Sequence, residues 1–305
     1  MRMVIIKVFI VFMRLSQAEV YHKIAALKSL SDSIMRSVFS VLFSFSFILL
    51  PLGLSASARV SEVVTTENLE WGDLNPLRGK LSPGAVNLWG DRTQDTATGM
   101  LVRFNKGFES PPHIHNILYR GVVIDGLLHN DDPSAEKMWM PKGSFWTQPA
   151  GESHITAANG HTNMIYLEID SGPYLVKPSK QAFNSGELPL NLHKNNIVWS
   201  EKQTIKHIKT TGVEQAFLWG SYSATRGVMI KLPAKFSGVI SSKANEFKAV
   251  LIAGGVVYQS NEQTKITLSK GSYFGSTTEF QHVITNNGNE DAIFYIRTNG
   301  QFEVY

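Results

Sequence analysis

Gly107-Phe-Glu-Ser-Pro-Pro-His113-Ile-His115-Asn-Ile-Leu-Tyr119-Arg-Gly-Val-Val-Ile-Asp-Gly126 and, further along, Gly143-Ser-Phe-Trp-Thr-Gln-Pro149-Ala-Gly151-Glu-Ser-His154 are the two stretches that decide the fold. In an extended chain, residues i and i+2 face the same way, so His113 and His115 project from one side of a strand, roughly 6–7 Å apart. Two imidazoles so placed can converge on one cation at the ~2.0–2.1 Å typical of metal–nitrogen bonds. Pro111-Pro112 stiffens the approach and disfavours a helix. In the second stretch a strand runs into a Pro/Gly turn, and the next strand opens with a third histidine, His154.

These stretches resemble the paired motifs of the cupin superfamily. The first is Gly, five residues, His-x-His, a few residues, Glu, six residues, Gly. The second is Gly, five residues, Pro-x-Gly, two residues, His. Gly107, His113, His115 and Gly126 match the first; Gly143, Pro149, Gly151 and His154 match the second. The resemblance implies a jelly-roll β-barrel holding one divalent metal ion (Fe, Mn, Ni or Zn) on His113, His115 and His154. It departs at the glutamate, whose place, with six residues between it and Gly126, is taken by Tyr119. The expected donor set is therefore three neutral imidazoles, a set that some cupin dioxygenases acting on thiols or diketones also use. Such a site leaves open positions on the ion for water, an anionic substrate or dioxygen. Tyr119 reads either as a phenol projecting into the cavity, the candidate catalytic group, or as a core aromatic. Glu109, Gln148 and Glu152 are substitutes for the missing carboxylate, each more simply read as a solvated surface residue. Phe145 and Trp146 are expected to shape the pocket. His129, His161, His193 and His207 read as surface or hydrogen-bonded core histidines.

Moving outward, the chain repeats with a period of 128 residues. Gly99-Met-Leu-Val-Arg-Phe104 aligns with Gly227-Val-Met-Ile-Lys-Leu232, Val122–Gly126 with Val250–Gly254, Lys142–Phe145 with Lys270–Tyr273, and His154 with His282. Leu88-Trp-Gly90 matches Leu218-Trp-Gly220 at a shift of 130. Each copy carries short runs of Val, Ile, Phe, Tyr and Thr punctuated by Gly, Pro, Asn and Asp, among them Gly99–Phe104, Gly121–Leu128, Ser144–Gln148, His161–Ile169 and Val250–Tyr258. The expected fold is all-β: two tandem cupin jelly rolls after an N-terminal signal segment. Residues 59–180 form the first, 181–197 a linker overlapping the Pro-, Ser-, Asn- and Gly-bearing stretch from Lys177 to Leu192, and 198–305 the second. In the second copy His113 becomes Ser241, His115 Lys243, Tyr119 Phe247, Pro149 Thr277 and Gly151 Glu279, so only His282 survives. An ammonium beside one imidazole repels a cation, and this copy is expected to be degenerate.

Composition narrows the chemistry. The chain has no cysteine, which excludes disulfides, thiolate metal sites and thiol catalysis. Of its 29 Lys and Arg residues, six lie before residue 59, with only two of its 25 Asp and Glu, which leaves 23 of each sign in the body. A neutral body lacks the basic footprint of a nucleic-acid binder. Residues 35–58 read as a signal peptide: Arg36, then apolar Val38–Leu54, then small Ala56-Ser-Ala58. Residues 1–34 read as an upstream extension. The alternative is a single membrane anchor, disfavoured by the shortness of the apolar run and by Pro51. The expectation is a periplasmic or secreted metal-binding bicupin whose partners are a small-molecule ligand or substrate and, in a homodimer, a second copy of itself. No nucleic acid is expected, and no membrane after cleavage. One reading makes it a three-histidine metalloenzyme, dioxygenase-like or acting by Lewis-acid chemistry on a small anionic substrate. The other makes it a non-catalytic ligand or metal sensor, similar to ChrR-type cupins of unknown function.

Overall fold

The computed structural model describes residues 61–260 and 264–305; the leader segments 1–34 and 35–58 lie outside the described residues. Two seven-stranded antiparallel sheets dominate. In the first half the order is Leu190–Leu192, Phe145–Gln148, Tyr119–Asp125, Asn163–Ile169, Thr98–Phe104, Gly84–Trp89, Gly72–Asp73. In the second it is Ser61–Val64, Tyr273–Ser276, Phe247–Ala253, Ala292–Thr298, Arg226–Leu232, Glu214–Gly220, Ser200–Glu201. A smaller sheet faces each: Phe108–Glu109, Ile155–Ala158, Leu127–Asp131 and Met140–Pro141 in the first half, and a five-stranded sheet from Lys265–Leu268 to Phe302–Val304 in the second.

Strand periodicity sorts the side chains into three cores. Along Tyr119–Asp125, Tyr119 and Val123 point between the first half's sheets, whereas Val122 and Ile124 point outward. The outward faces of the two large sheets meet, so Val122, Ile124, Leu101 and Phe145 pack with Met229, Val250, Ile252 and Tyr273. A third cluster fills the second half. The sheet-to-sheet seam also buries Glu168, which accepts hydrogen bonds from Tyr166 (3.0 Å) and Tyr295 (2.7 Å) and lies 3.5 Å from the Arg297 guanidinium. Arg120 lies 3.7 Å over the Trp219 ring and pairs with Asp170 at 2.9 Å. Burial raises the Glu168 pKa, opposed by Arg297 and Arg120.

Two features differ from expectation. The runs Gly121–Leu128 and Val250–Tyr258, read as single strands, each break into two at a glycine. At Gly126 φ is +82°, and a Cβ would sit 2.1 Å from the Thr162 carbonyl oxygen. Only glycine lets the chain turn there out of the large sheet and into the small one. Second, the copies trade their first strands. Ser61–Val64, assigned by sequence to the first copy, pairs with Tyr273–Ser276 of the second half. Its counterpart in the repeat, Leu190–Leu192, falls within the expected linker and pairs with Phe145–Thr147 of the first half. The exchange packs a half-buried Val63 against the second half's own core and a half-buried Val64 against the shared one. Alternation within a four-residue strand is too short to reveal its partner.

Candidate metal centre

His113–His115 is a three-residue strand paired with Val176–Pro178, and His154 opposes His113 through a pair of backbone hydrogen bonds of 3.0 Å each. The turn between the motifs is pinned at Gly151, whose N–H donates to the His115 carbonyl at 2.8 Å. At φ +78° and with the Phe183 carbonyl oxygen 2.4 Å from a notional Cβ, no other residue fits there. The result gathers the three imidazoles, all buried, with ring centroids 4.3 Å (His113–His154), 5.1 Å (His113–His115) and 5.2 Å (His115–His154) apart. One nitrogen from each lies within 4.8 Å of the other two.

Their tautomers are set by the backbone. His113 Nδ1 meets the Pro111 carbonyl at 2.9 Å, His115 Nδ1 that of Leu175 at 3.1 Å, and His154 Nδ1 that of Glu152 at 3.0 Å. A carbonyl only accepts, so each neutral ring carries its proton on Nδ1 and keeps a lone pair on Nε2. This outer support is the kind that metal-ligating histidines use. Burial keeps the rings neutral. It lowers the His113 pKa, with the Arg78 charge adding to it; it lowers His115 further, helped by His154 and His113; and it takes His154 down to about 3. Three neutral nitrogen donors, preset and desolvated, suit a divalent transition ion.

Two phenols border the cluster. Tyr119 is both a core aromatic and a member of the site: its ring packs in the barrel, and its hydroxyl donates to Asn130 Oδ1 (2.9 Å) and lies 3.2 Å from His154 Nε2. Burial raises its pKa, which favours the neutral phenol. Tyr174, which no sequence motif signalled, stacks on His115 at 4.4 Å with its hydroxyl 3.2 Å from His115 Nε2. Gln148 corrects the surface reading. It is buried, accepting from Asn130 Nδ2 at 2.8 Å, because it shares a strand face with Trp146. Glu109 is exposed and pairs with Lys137, while Glu152 serves through its backbone carbonyl. Trp146 lines the cavity as expected, but Phe145, one residue away on the opposite strand face, packs in the seam between the halves. His129 is buried beside Trp139, His161 is exposed, and His193 and His207 bond Asn195 and Gln215; none joins the cluster.

Residues 62–305 match the family model DUF4437, a domain of unknown function. The chain belongs to that family. Among curated proteins none matches it. Solved structures share its fold at low identity. A provisionally assigned dioxygenase from Nostoc punctiforme PCC 73102 is 15% identical with a TM-score of 0.61, over 80% of this chain and 84% of that one. The protein Ylba of E. coli, of the family model DUF861, is 14% identical with a TM-score of 0.55, over 80% and 94%. Lactobacillus farciminis oxalate decarboxylase, solved as a formate complex, is 12% identical with a TM-score of 0.53, over 81% and 88%. The fold of this DUF4437 chain is of the cupin type.

The second half of the DUF4437 chain shows what happens to the same frame without the cluster. His282 is buried with Nδ1 2.9 Å from the Tyr258 hydroxyl and Nε2 3.0 Å from Ser276 Oγ. Tyr258 and Ser276 stand at the repeat positions of Asn130 and Gln148. Phe247, Phe274 and Phe280 close over the ring at centroid distances of 4.7–5.2 Å. Lys243, the ammonium expected from sequence, is exposed, and aromatic rings pack around His282.

Proposed function

We propose that this DUF4437 chain is an exported, metal-binding bicupin whose first half holds one divalent cation on His113, His115 and His154 and acts on a small anionic substrate. The observation that carries the reading is the set of three Nδ1–carbonyl contacts, which leaves an Nε2 lone pair on each of three clustered rings. When bound, the ion supplies Lewis-acid polarisation or oxygen activation. The chain's own part is positioning. Tyr119 has one hydroxyl proton, committed to Asn130, which in turn is held by Gln148 and Thr156. This places a neutral donor network beside His154. The Tyr174 hydroxyl donates to His115 Nε2, so it must turn aside for that nitrogen to coordinate. Export rests on the order of charge, apolar run and small residues across 35–58. The two-domain reading rests on the 128-residue repeat, with 59–180 and 198–305 as the units.

The test is metal analysis of protein purified without chelator, followed by zinc, manganese, nickel and iron titrations. The wild type should retain about one ion per chain and His115→Ala far less. Equal, negligible metal in both sinks the proposal. Oxygen uptake by the iron form with diketones, thiols and hydroxy acids then separates an oxygenase from a ligand sensor.

A further inference from the structure

The cavity beside the histidines measures about 100 Å³ and is lined chiefly by apolar side chains, among them Val102, Phe104, Phe108, Ile165 and Leu167. No Asp or Glu lines it. One permanent cation does: Arg78, on the turn Pro76–Leu81. That turn is held in place, with Asn75 Oδ1 accepting from the Leu77 N–H at 3.2 Å and Ser82 Oγ from the Asn75 N–H at 2.9 Å. Among the described residues Arg78 has no ion-pair partner. Its guanidinium lies 5.9 Å over the Phe108 ring, and its charge is felt at His113. By contrast, Arg120 and Arg297 are both tied to carboxylates in the seam between the halves. The buried Trp146 Nε1 also lacks an acceptor, although its ring lines the cavity.

An unpaired guanidinium at the edge of an apolar chamber calls for an anion with an apolar body. Guanidinium matches a carboxylate with two parallel N–H···O bonds. The chamber's volume is on the order of the ~150 Å³ that encloses a benzene ring. Oxalate and acetate carry the charge but no apolar body to cover Val102, Phe104, Ile165 and Leu167. We propose that the ligand of this site is a monocarboxylate with a compact apolar or aromatic body, its carboxylate held by Arg78 and its body in the chamber beside the histidine cluster. This deepens the metal-site reading and rests on it for the reaction, but Arg78 recognition can be measured without any turnover.

Calorimetric titration of benzoate, benzamide, acetate and oxalate into zinc-treated wild type, Arg78→Gln and Arg78→Lys tests it, with zinc content and unfolding midpoint recorded for each protein. Benzoate should bind wild type roughly tenfold or more tighter than any of the other three, because only it has both charge and body. Arg78→Gln should weaken benzoate by roughly tenfold or more while leaving benzamide unchanged, and Arg78→Lys should recover part of the loss. Absence of benzoate binding, equal affinity in wild type and Arg78→Gln, or oxalate or acetate binding as tightly as benzoate overturns the proposal. If no protein retains zinc yet benzoate binding still depends on Arg78, the metal reading falls and the ligand assignment stands. If zinc is retained and Arg78→Gln changes nothing, the reverse holds.

Discussion

Acidification should destabilise this protein through His282, and the size of the effect follows from its surroundings. The ring is enclosed by Phe247, Phe274 and Phe280, and its only polar contacts are the hydroxyls of Tyr258 and Ser276. No carboxylate compensates a proton there, and burial alone takes its pKa from 6.5 to about 3. The unfolded chain titrates near 6.5, so between pH 6.5 and 3 the unfolded state binds one more proton than the native state at this residue. Stability therefore rises with pH in that window and is lost as pH falls, by about 1.4 kcal/mol per unit. From pH 7 to pH 5 the loss due to His282 is about 2 kcal/mol. Urea unfolding of wild type and His282→Gln at both pH values, at fixed ionic strength and with chelator present, isolates it. His113, His115 and His154 titrate in both proteins and cancel. Glutamine loses ring packing and is less stable at pH 7, but that deficit should shrink by about 2 kcal/mol at pH 5. A deficit independent of pH would mean that the native ring accepts a proton freely, and the burial argument would be wrong.

Glu168→Ala leaves the hydroxyls of Tyr166 and Tyr295 without their acceptor and Arg297 without one of its carboxylates. Unfolding free energy should fall by about 3 kcal/mol, with metal content unchanged because the residue faces away from the cavity. Tyr119→Phe removes one donor from Asn130 while Thr156 remains, costing about 1 kcal/mol in the same assay. Its zinc affinity should match wild type within a factor of about three, whereas a coordinating Tyr119 would lower that affinity by roughly tenfold or more.

The parts of the structure that were legible from sequence are those whose causes are local. His-x-His reads as a shared face because a strand has period two, and Gly151 reads as a turn because it follows Pro149 at the end of a strand. The parts that were not legible depend on distant chain. Tyr174 reaches His115 across 59 residues with no motif to announce it. Ser61–Val64 and Leu190–Leu192 exchange partners through pairings that no four-residue pattern encodes. Phe145 and Gln148 fall between these cases. The alternation that placed His113 with His115 also places Trp146 with Gln148 and sends Phe145 to the other face, so both positions were readable from the register of one strand.

Divergence between the repeats shows where the frame ends and the chemistry begins. Positions facing the seam keep their character in both halves: Val122 answers Val250, Ile124 answers Ile252, and Phe145 answers Tyr273. Each must pack against the other copy, so a polar change at one damages both. Positions facing the cavity are free of that constraint, and there the halves part. Tyr119, Asn130, Trp146 and Gln148 answer Phe247, Tyr258, Phe274 and Ser276. In the second half the rings of Phe247, Phe274 and Phe280 pack against His282, which is satisfied by two hydroxyls. In the first half His115 and His154 meet only phenols at Nε2, the buried Trp146 Nε1 has no acceptor, and among the described residues Arg78 has no ion-pair partner. Both halves leave buried donors without partners, Arg226 and Ser272 in the second and Trp146 in the first, but among the described residues only the first sets its donor beside three clustered imidazoles. The groups gathered there, three imidazole nitrogens of which one accepts from Tyr174, a guanidinium and an indole N–H, are those that a cation and an anion would complete together.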